Sequence, residues 1–436
     1  MPDGLNTMKP GLILLLFAGS AFCQVPAPGP LIIDLPQAIA RARQYGGQVQ
    51  SANLALAQAT QDRVQARAAT LPQASGQTGY LYTEGNGTPT GVYVANNGVH
   101  VYTGLGVVHQ DVLPLLARGE QVRAAAAEAV ARARVDIAAR GLNAVVIQDY
   151  YAILDAQRRL DNATVSVTEA THFVDIARQL EGGGEVAHAD FVKAQTQLQQ
   201  RQIERNDAET TLAKAKIALA VLIMPNFSTD FSLKDDLDQI EVVPMLDEAR
   251  NQATASNPDV KAAAAMVNQT GAEVSIAHYG YLPTIGLDFF YGLNSNVVAL
   301  YDHEGNQNIG AGAEVSVNIP VWNWGATKSK VKQAQLRQEQ ARLDLSLTQR
   351  QLQASVAAAH AEAEGALRQV SLLRDGETYA TESLRLTLLR YQAGEATAFE
   401  VSDAQTTLKQ ARDAYDDGLA RYRTALASLR ALMGTL

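Results

Sequence analysis

The chain of 436 residues has little cysteine, few aromatic residues and few charged residues. Its single cysteine, Cys23, lies in a segment that we expect to be removed, so the mature protein would contain neither a disulfide nor a free thiol. Aromatic residues are 6% of the chain and charged residues 19%, which favours helices packed through small side chains over a bulky core. The net charge of −9 argues against a nucleic-acid partner.

The sequence also lacks the patterns that accompany catalysis or a bound cofactor. Its seven histidines are scattered without the spacing of metal ligands, and no glycine-rich phosphate loop follows a predicted strand. The triplet Gly182-Gly183-Gly184 lies between two predicted helices, where it is typical of a turn. We therefore predict a protein that is not an enzyme, with no cofactor and no metal.

The apolar run at residues 11–18 is too short to anchor a chain permanently in a bilayer. It is followed by the small residues Ala21 and Cys23, the arrangement of a signal-peptidase site. We expect residues 1–23 to be a signal peptide and the protein to be exported. Processing as a lipoprotein at Cys23 is the alternative, although the bulky Phe22 before it fits that pattern poorly.

What the sequence does contain is a tandem repeat. Residues 35–80 recur at 246–291, and further along Gly184-Glu185 recurs as Gly394-Glu395. The offset between the copies gives a unit of about 200 residues, which is too long for a solenoid repeat. It predicts two similar halves that lie side by side around a pseudo-twofold axis.

Each half begins with a predicted helix, 48–70 or 258–281, that ends at a Leu-Pro pair, because proline cannot continue a helix. The next segments, 77–112 and 284–319, alternate apolar and polar or glycine residues with period two. Runs of about ten such residues suit strands that cross a bilayer at a tilt, with a wet lumen on the polar face. A half-buried sheet in a soluble domain is the alternative.

Two strands in each half give four per chain, too few to close a barrel. Open strand edges are not tolerated in hydrocarbon, because their N–H and C=O groups find no water there. Several chains must therefore share one barrel around a rotation axis. The long polar connections at 85–98 and 295–307 would be its extracellular loops.

After each hairpin the sequence predicts a very long helix, a glycine break and a returning helix with heptad spacing, which indicates coiled-coil packing. The predicted division of the chain is a signal peptide (1–23), an N-terminal periplasmic segment (24–47), a first repeat (48–225; hairpin 77–112, long helix 118–181, return helix 187–224), an equatorial or linker segment (226–257) and a second repeat (258–436; hairpin 284–319, long helix 326–391, return helix 397–433).

With this duplicated plan, the chain resembles the outer-membrane efflux protein family, the TolC-like outer-membrane factors. The resemblance rests also on the motif Arg390-Tyr391-Gln392-Ala393-Gly394 followed by Phe399-Glu400-Val401-Ser402-Asp403-Ala404-Gln405-Thr406. It implies a homotrimer whose strands form one barrel in outer-membrane lipid, with a helical tunnel in the periplasm of a Gram-negative-type cell. It also implies docking to a periplasmic adaptor (membrane fusion) protein and, through it, to an inner-membrane pump.

The expected fold class is thus an α+β membrane protein. Coiled-coil hairpins of long helices form an α-barrel, and four transmembrane β-strands per chain contribute to a shared trimeric 12-stranded β-barrel. The expected function is the exit duct of a tripartite efflux or type I secretion system. The alternative is an exported periplasmic coiled-coil adaptor or scaffold, which would also be rich in heptads.

Glu400 and Asp403 lie one turn apart at the start of the last helix, where carboxylates ordinarily complement the helix dipole. The resemblance implies instead that they ring a closed periplasmic aperture, where mutual repulsion would raise their proton affinity and attract cations. It also implies that Tyr391 and Asp190 link helix pairs to keep the aperture shut. Ala396 stands where the best-known member has an arginine, so a weaker closed state is expected.

The two halves differ at this place, because Asp190 and Lys193 occupy the positions of Glu400 and Asp403. By analogy with the family, the tip loops at 181–186 and 392–397 are expected to contact the adaptor. The residues assigned to that contact are Gly182, Gly183, Gly184, Glu185, Gly394 and Glu395.

Overall fold

The computed structural model describes residues 31–82, 100–302 and 304–435. The predicted signal peptide with Cys23 and the predicted loop 85–98 lie outside these residues. The elements in chain order are β1 (Leu31–Ile33), α1 (Leu35–Tyr45), α2 (Gly47–Ala68), β2 (Gln73–Tyr82), β3 (His100–Asp111), α3 (Val112–Ala117), α4 (Gly119–Gly182), α5 (His188–Ile223), β4 (Phe231–Leu233), α6 (Leu246–Ser256), α7 (Pro258–Tyr279), β5 (Thr284–Ser295), β6 (Ile309–Asn318), α8 (Ala326–Gln392) and α9 (Ala398–Met433).

The order of elements repeats, as the sequence duplication predicts. Each half runs through a short helix, a 22-residue helix, two strands, a very long helix and a 36-residue returning helix. The 22-residue helices α2 and α7 end four residues before Pro72 and Pro283, so both stop slightly earlier than expected. The predicted N-terminal periplasmic segment (24–47) and the predicted equatorial or linker segment (226–257) contain the short helices α1 and α6.

The long helices set the dimensions of the molecule. Helix α4 has 64 residues and α8 has 67, which at 1.5 Å per residue corresponds to about 100 Å. Each is flanked by two shorter helices: α4 packs against α2 and α5, and α8 packs against α7 and α9. Among the described helices, none has both the length and the apolar character needed to cross a membrane.

The four long strands form one antiparallel sheet in the order β2-β3-β5-β6. Strand β2 begins at Gln73, four residues earlier than the sequence indicated. Large apolar side chains on one face are exposed, among them Tyr80, Phe289 and Tyr291 at 51–58%. Within the described residues, the outer strands β2 and β6 each have only one hydrogen-bonded neighbour in this sheet. The sheet of a single chain is therefore open at both edges.

A belt joins the two halves near the middle of the long helices. Strand β1 pairs in parallel with β4, with Leu31 opposite Phe231 and Ile33 opposite Leu233. The hydroxyl of Tyr150 donates to the backbone oxygen of Lys234 at 2.8 Å, and the hydroxyl of Tyr422 donates to that of Glu241. The predicted equatorial or linker segment, which carries Asp235, Asp236, Asp238 and Glu241, is thus held against the helices.

Three arginines on the helices bind this segment, in what we call the equatorial clasp: Arg158, Arg423 and Arg430 with Asp235, Asp236, Asp238 and Glu241. Arg158 contacts Asp235 at 2.8 Å and Asp238 at 2.7 Å. Arg423 pairs with Asp236 and, at 2.6 Å, with Glu241. The side chains of Arg423 and Asp236 are only 8% and 17% exposed, so this pair is largely shielded from water, whereas Glu241 at 36% is partly solvated.

Candidate functional site: the helix tips

The two helical hairpins end in tips with the same backbone. Gly184 and Gly394 both adopt the left-handed conformation, with φ of 76° and 74°. The backbone N–H of the next residue donates a hydrogen bond to the carbonyl oxygen five residues earlier. Glu185 donates to Leu180 at 2.9 Å, and Glu395 donates to Arg390 at 2.8 Å. This is the Schellman ending of a helix, which requires a residue that tolerates positive φ. The repeated Gly-Glu pair is therefore explained by the turn itself.

The two tips differ in how the returning helix starts. In the second tip, Thr397 and Glu400 form a capping box: Glu400 N–H donates to the Thr397 hydroxyl at 3.3 Å, and Thr397 N–H donates to a Glu400 carboxylate oxygen at 3.1 Å. In the first tip, Ala187 precedes the helix and provides no side-chain cap. There, His188 bonds across the tip to Glu181 at 2.6 Å.

Glu400 is held by these contacts. Besides the capping box, its carboxylate lies 3.3 Å from the guanidinium of Arg390. The Thr397 backbone N–H, more than the charge of Arg390, lowers the pKa of Glu400 below its usual value. This is opposite to the raised proton affinity expected for a ring of carboxylates, because in the single chain hydrogen bonds favour the charged form.

Asp403 follows Glu400 by one turn and is exposed on the same side of α9. The opposite side of the helix, with Val401 and Leu408, is buried at 0% and 1% exposure. The exposed side of α9 therefore presents two carboxylates in a row, as the sequence indicated.

Tyr391 is buried beneath the second tip, 1% exposed, with its ring edge-on to Phe173 at 5.3 Å between centroids. Its hydroxyl has no hydrogen-bond partner within the described residues. Burial, and secondarily the charge of Asp190, raises the pKa of Tyr391. Asp190 is thus close enough to act electrostatically, but the hydrogen-bonded link that the resemblance implied is not formed within this chain.

Two residues of the tip were missed as functional residues from the sequence. Thr397 was recognisable, because Thr-x-x-Glu before an apolar run is the signature of a capping box. Phe173 gave no signal, because it lies inside a long helix and meets Tyr391 only through the tertiary fold. The residues assigned to adaptor contact, Gly182, Gly183, Gly184, Glu185, Gly394 and Glu395, are all exposed at the tips.

Comparisons with known proteins agree with this geometry. Residues 249–435 match the family model described as outer membrane efflux protein. Protein CyaE of Bordetella pertussis is 27% identical over 184 residues, which is 39% of this chain and 38% of the relative. The aligned part therefore spans little more than a third of that relative's length.

The fold itself matches solved outer-membrane channels over almost the whole chain. The Campylobacter jejuni CmeC channel superposes with a TM-score of 0.82 at 14% identity, covering 92% of this chain and 85% of that one. The open state of the Neisseria gonorrhoeae MtrE channel superposes with a TM-score of 0.77 at 20% identity, covering 92% of this chain and 88% of that one. The resemblance to the outer membrane efflux protein family is therefore confirmed over residues 249–435, and the fold of a TolC-like channel is confirmed over almost the whole chain.

Proposed function

We propose that the protein is the exit duct of a tripartite efflux or type I secretion system. It would passively conduct substrates from a periplasmic adaptor and an inner-membrane pump to the exterior. The observation that carries the proposal is a sheet whose outer strands, β2 and β6, have no second neighbour in the part of the chain that the structure describes, joined to helices of about 100 Å. Such edges need partners inside a membrane. Copies of the chain supply them most simply, and the family resemblance favours three.

The alternative, an exported coiled-coil adaptor or scaffold, explains the heptads but not the sheet. It gives no reason for four strands of 10 to 12 residues with an exposed apolar face. Membrane fractionation separates the two proposals: a duct remains with the outer membrane as a heat-modifiable oligomer, and a scaffold is released with the periplasm.

Within the duct, the tips would form the gate. Glu400 and Asp403 of each chain would face the axis, so that three copies place six carboxylates around one aperture. Tyr391 would stabilise the closed tip by packing against Phe173, and Asp190 would contribute a nearby negative charge. The exposed turns at Gly184 and Gly394 would meet the adaptor. Substrate choice would then belong to the pump and adaptor.

The gate is tested with the double variant E400Q/D403N in planar bilayers. Glutamine at position 400 can still complete the capping box, so the tip keeps its fold while it loses the charge. We expect the permeability ratio of cation over anion to fall towards one. The matched control, E185Q/E395Q, removes two exposed carboxylates from the turns and should leave the ratio unchanged. Unaltered selectivity in E400Q/D403N would refute the gate, and an absence of conductance in both the wild-type protein and Y391A, whose tip should open, would refute the duct.

The selectivity should also depend on pH in a defined direction. Because the pKa of Glu400 is lowered from 4.5, its charge is present above that pH and is lost only as the pH falls through the lower value of the folded protein. We expect cation selectivity to persist at pH 5 and to weaken under more acidic conditions. A loss of selectivity already near neutral pH would show that repulsion in the ring outweighs the capping box.

A further inference from the structure

The two halves differ at a second place, where the sheet passes into the long helix. After β6 the chain reads Pro320-Val321-Trp322-Asn323-Trp324 before α8 begins. Trp322 and Trp324 are 75% and 89% exposed and lie edge-to-face at 5.7 Å between ring centroids. They are the only two tryptophans of the chain.

The backbone at these exposed rings has an unfavourable conformation. Trp324 adopts φ of 55°, a conformation that bulky residues rarely take. The turn is fixed by Asn323, whose side chain donates to the Thr327 hydroxyl and whose backbone oxygen accepts from Ala326 N–H at 3.0 Å. The first-half junction has a comparable residue, Arg118 with φ of 49°, so what distinguishes the second junction is the exposed tryptophan pair and not the backbone conformation.

Three lysines follow within two turns: Lys328, Lys330 and Lys332, all exposed. Within the described residues, none of the three has a carboxylate at ion-pair distance, and the sequence has no Asp or Glu between Glu314 and Glu339. Cations at a helix N-terminus oppose the helix dipole. This effect is confined to the first turn and so applies to Lys328, while Lys330 and Lys332 lie beyond it as exposed cations.

The corresponding place in the first half has neither feature. There α3 leads from β3 into α4 without a tryptophan, and Glu120 pairs with Arg123 at 2.8 Å. The asymmetry shows that a strand-to-helix junction does not itself require an aromatic pair and unpaired lysines.

We propose that Trp322 and Trp324 with Lys328, Lys330 and Lys332, the tryptophan–lysine collar, bind anionic phospholipid head groups at the periplasmic face of the outer membrane. Its position is continuous with the exposed apolar face of the strands. Tryptophan rings favour the interface between hydrocarbon and water. Lysines just beyond that interface attract anionic lipid by charge complementarity. The second half alone would provide this anchor, once per chain.

The two tryptophans allow a direct test, because fluorescence excited at the red edge of the tryptophan band, where the 15 tyrosines absorb little, reports on the collar alone. The full-length protein is reconstituted in phosphatidylcholine vesicles that contain the same fraction of either brominated phosphatidylglycerol or brominated phosphatidylcholine. Bromine near the head-group end of the acyl chains quenches adjacent tryptophan. At low salt we expect brominated phosphatidylglycerol to quench the tryptophans at least about twofold more strongly than brominated phosphatidylcholine. At high salt we expect this difference between the two lipids to shrink.

The variant K328Q/K330Q/K332Q should lose this excess, while the matched control K214Q/K216Q/K261Q, which removes three lysines of the periplasmic helices, should keep it. Equal quenching by both lipids in the wild-type protein would overturn the proposal. So would an absence of quenching, which would mean that a neighbouring protein chain covers the rings. If the triple variant does not fold, the salt titration of the wild-type protein still decides. The readout needs no conduction, so it stands apart from the test of the duct.

Discussion

Replacing Arg423 with alanine is expected to destabilise the protein by about 2–3 kcal/mol, less than the roughly 3–5 kcal/mol of a fully buried pair because the Glu241 side chain is 36% exposed. Arg423 is the centre of the equatorial clasp. It pairs with Asp236 and Glu241, donates to the backbone oxygen of Gln239 at 3.1 Å and lies 5.9 Å from the ring centroid of Tyr151. Alanine would leave two carboxylates without this cation and would free the belt from the helices.

The urea midpoint of the helical circular dichroism in detergent measures this loss, and proteolysis between residues 226 and 245 shows whether the belt is released. The matched control is R385A, because Arg385 pairs with Glu382 on the open surface, with side chains 58% and 53% exposed. Such pairs contribute about 0–1 kcal/mol. Equal effects of R423A and R385A would contradict the role of the clasp. Removing Asp236 as well, in R423A/D236A, should restore part of the lost stability.

Two substitutions of Tyr391 distinguish the contribution of ring packing from that of hydrogen bonding to the closed tip. Tyr391→Ala is expected to cost about 3–5 kcal/mol, as for large aromatic truncations in a core, and to raise the open probability of the channel. Tyr391→Phe should change little, because the hydroxyl that it removes has no partner in the described chain. Single-channel recording with hydrogen exchange at the ends of α8 and α9 measures both effects.

The control for this pair is Phe399→Ala, in the same tip but 67% exposed, which should leave the closed state intact. If Phe at position 391 opened the channel as strongly as Ala does, the hydroxyl would be a latch after all, formed with a neighbouring chain. The ring contact with Phe173 would then be secondary.

The parts of the fold that depend on local pattern were predictable from the sequence. The period-two alternation located β5 and β6, and the Leu-Pro pairs located the ends of α2 and α7, because both signals lie within a few neighbouring residues. Because the sequence is duplicated, the clearer strand pattern of the second half also indicated two strands at the same place in the first half. The weaker alternation of the first hairpin left the start of β2 four residues off.

What the sequence did not predict depends on contacts between distant segments. The acidic run around Asp236 was visible, but the choice of Arg423 as its partner required the helices to be placed first. The same holds for Phe173 beneath Tyr391. The raised proton affinity expected for a ring of carboxylates in a trimer stays a prediction, while in the single chain the backbone N–H of Thr397, which that prediction did not include, lowers the pKa of Glu400.

The central claim, that copies of this chain close one barrel through β2 and β6, is tested most directly by disulfide crosslinking. The mature chain is expected to lack cysteine, so the background is clean. Ala74 on β2 and Ala313 on β6 lie on the same face of the sheet, because Ala74 is opposite Val108, Val108 opposite Phe289, and Phe289 opposite Ala313.

We combine Ala74→Cys with Cys at position 311, 313 or 315 in turn, because the register between copies is open, and we oxidise the protein in outer membranes. One combination should give a closed covalent trimer, while each single cysteine variant should give none. Monomers with no crosslink in any combination, or a ladder that continues beyond three chains, would contradict the account.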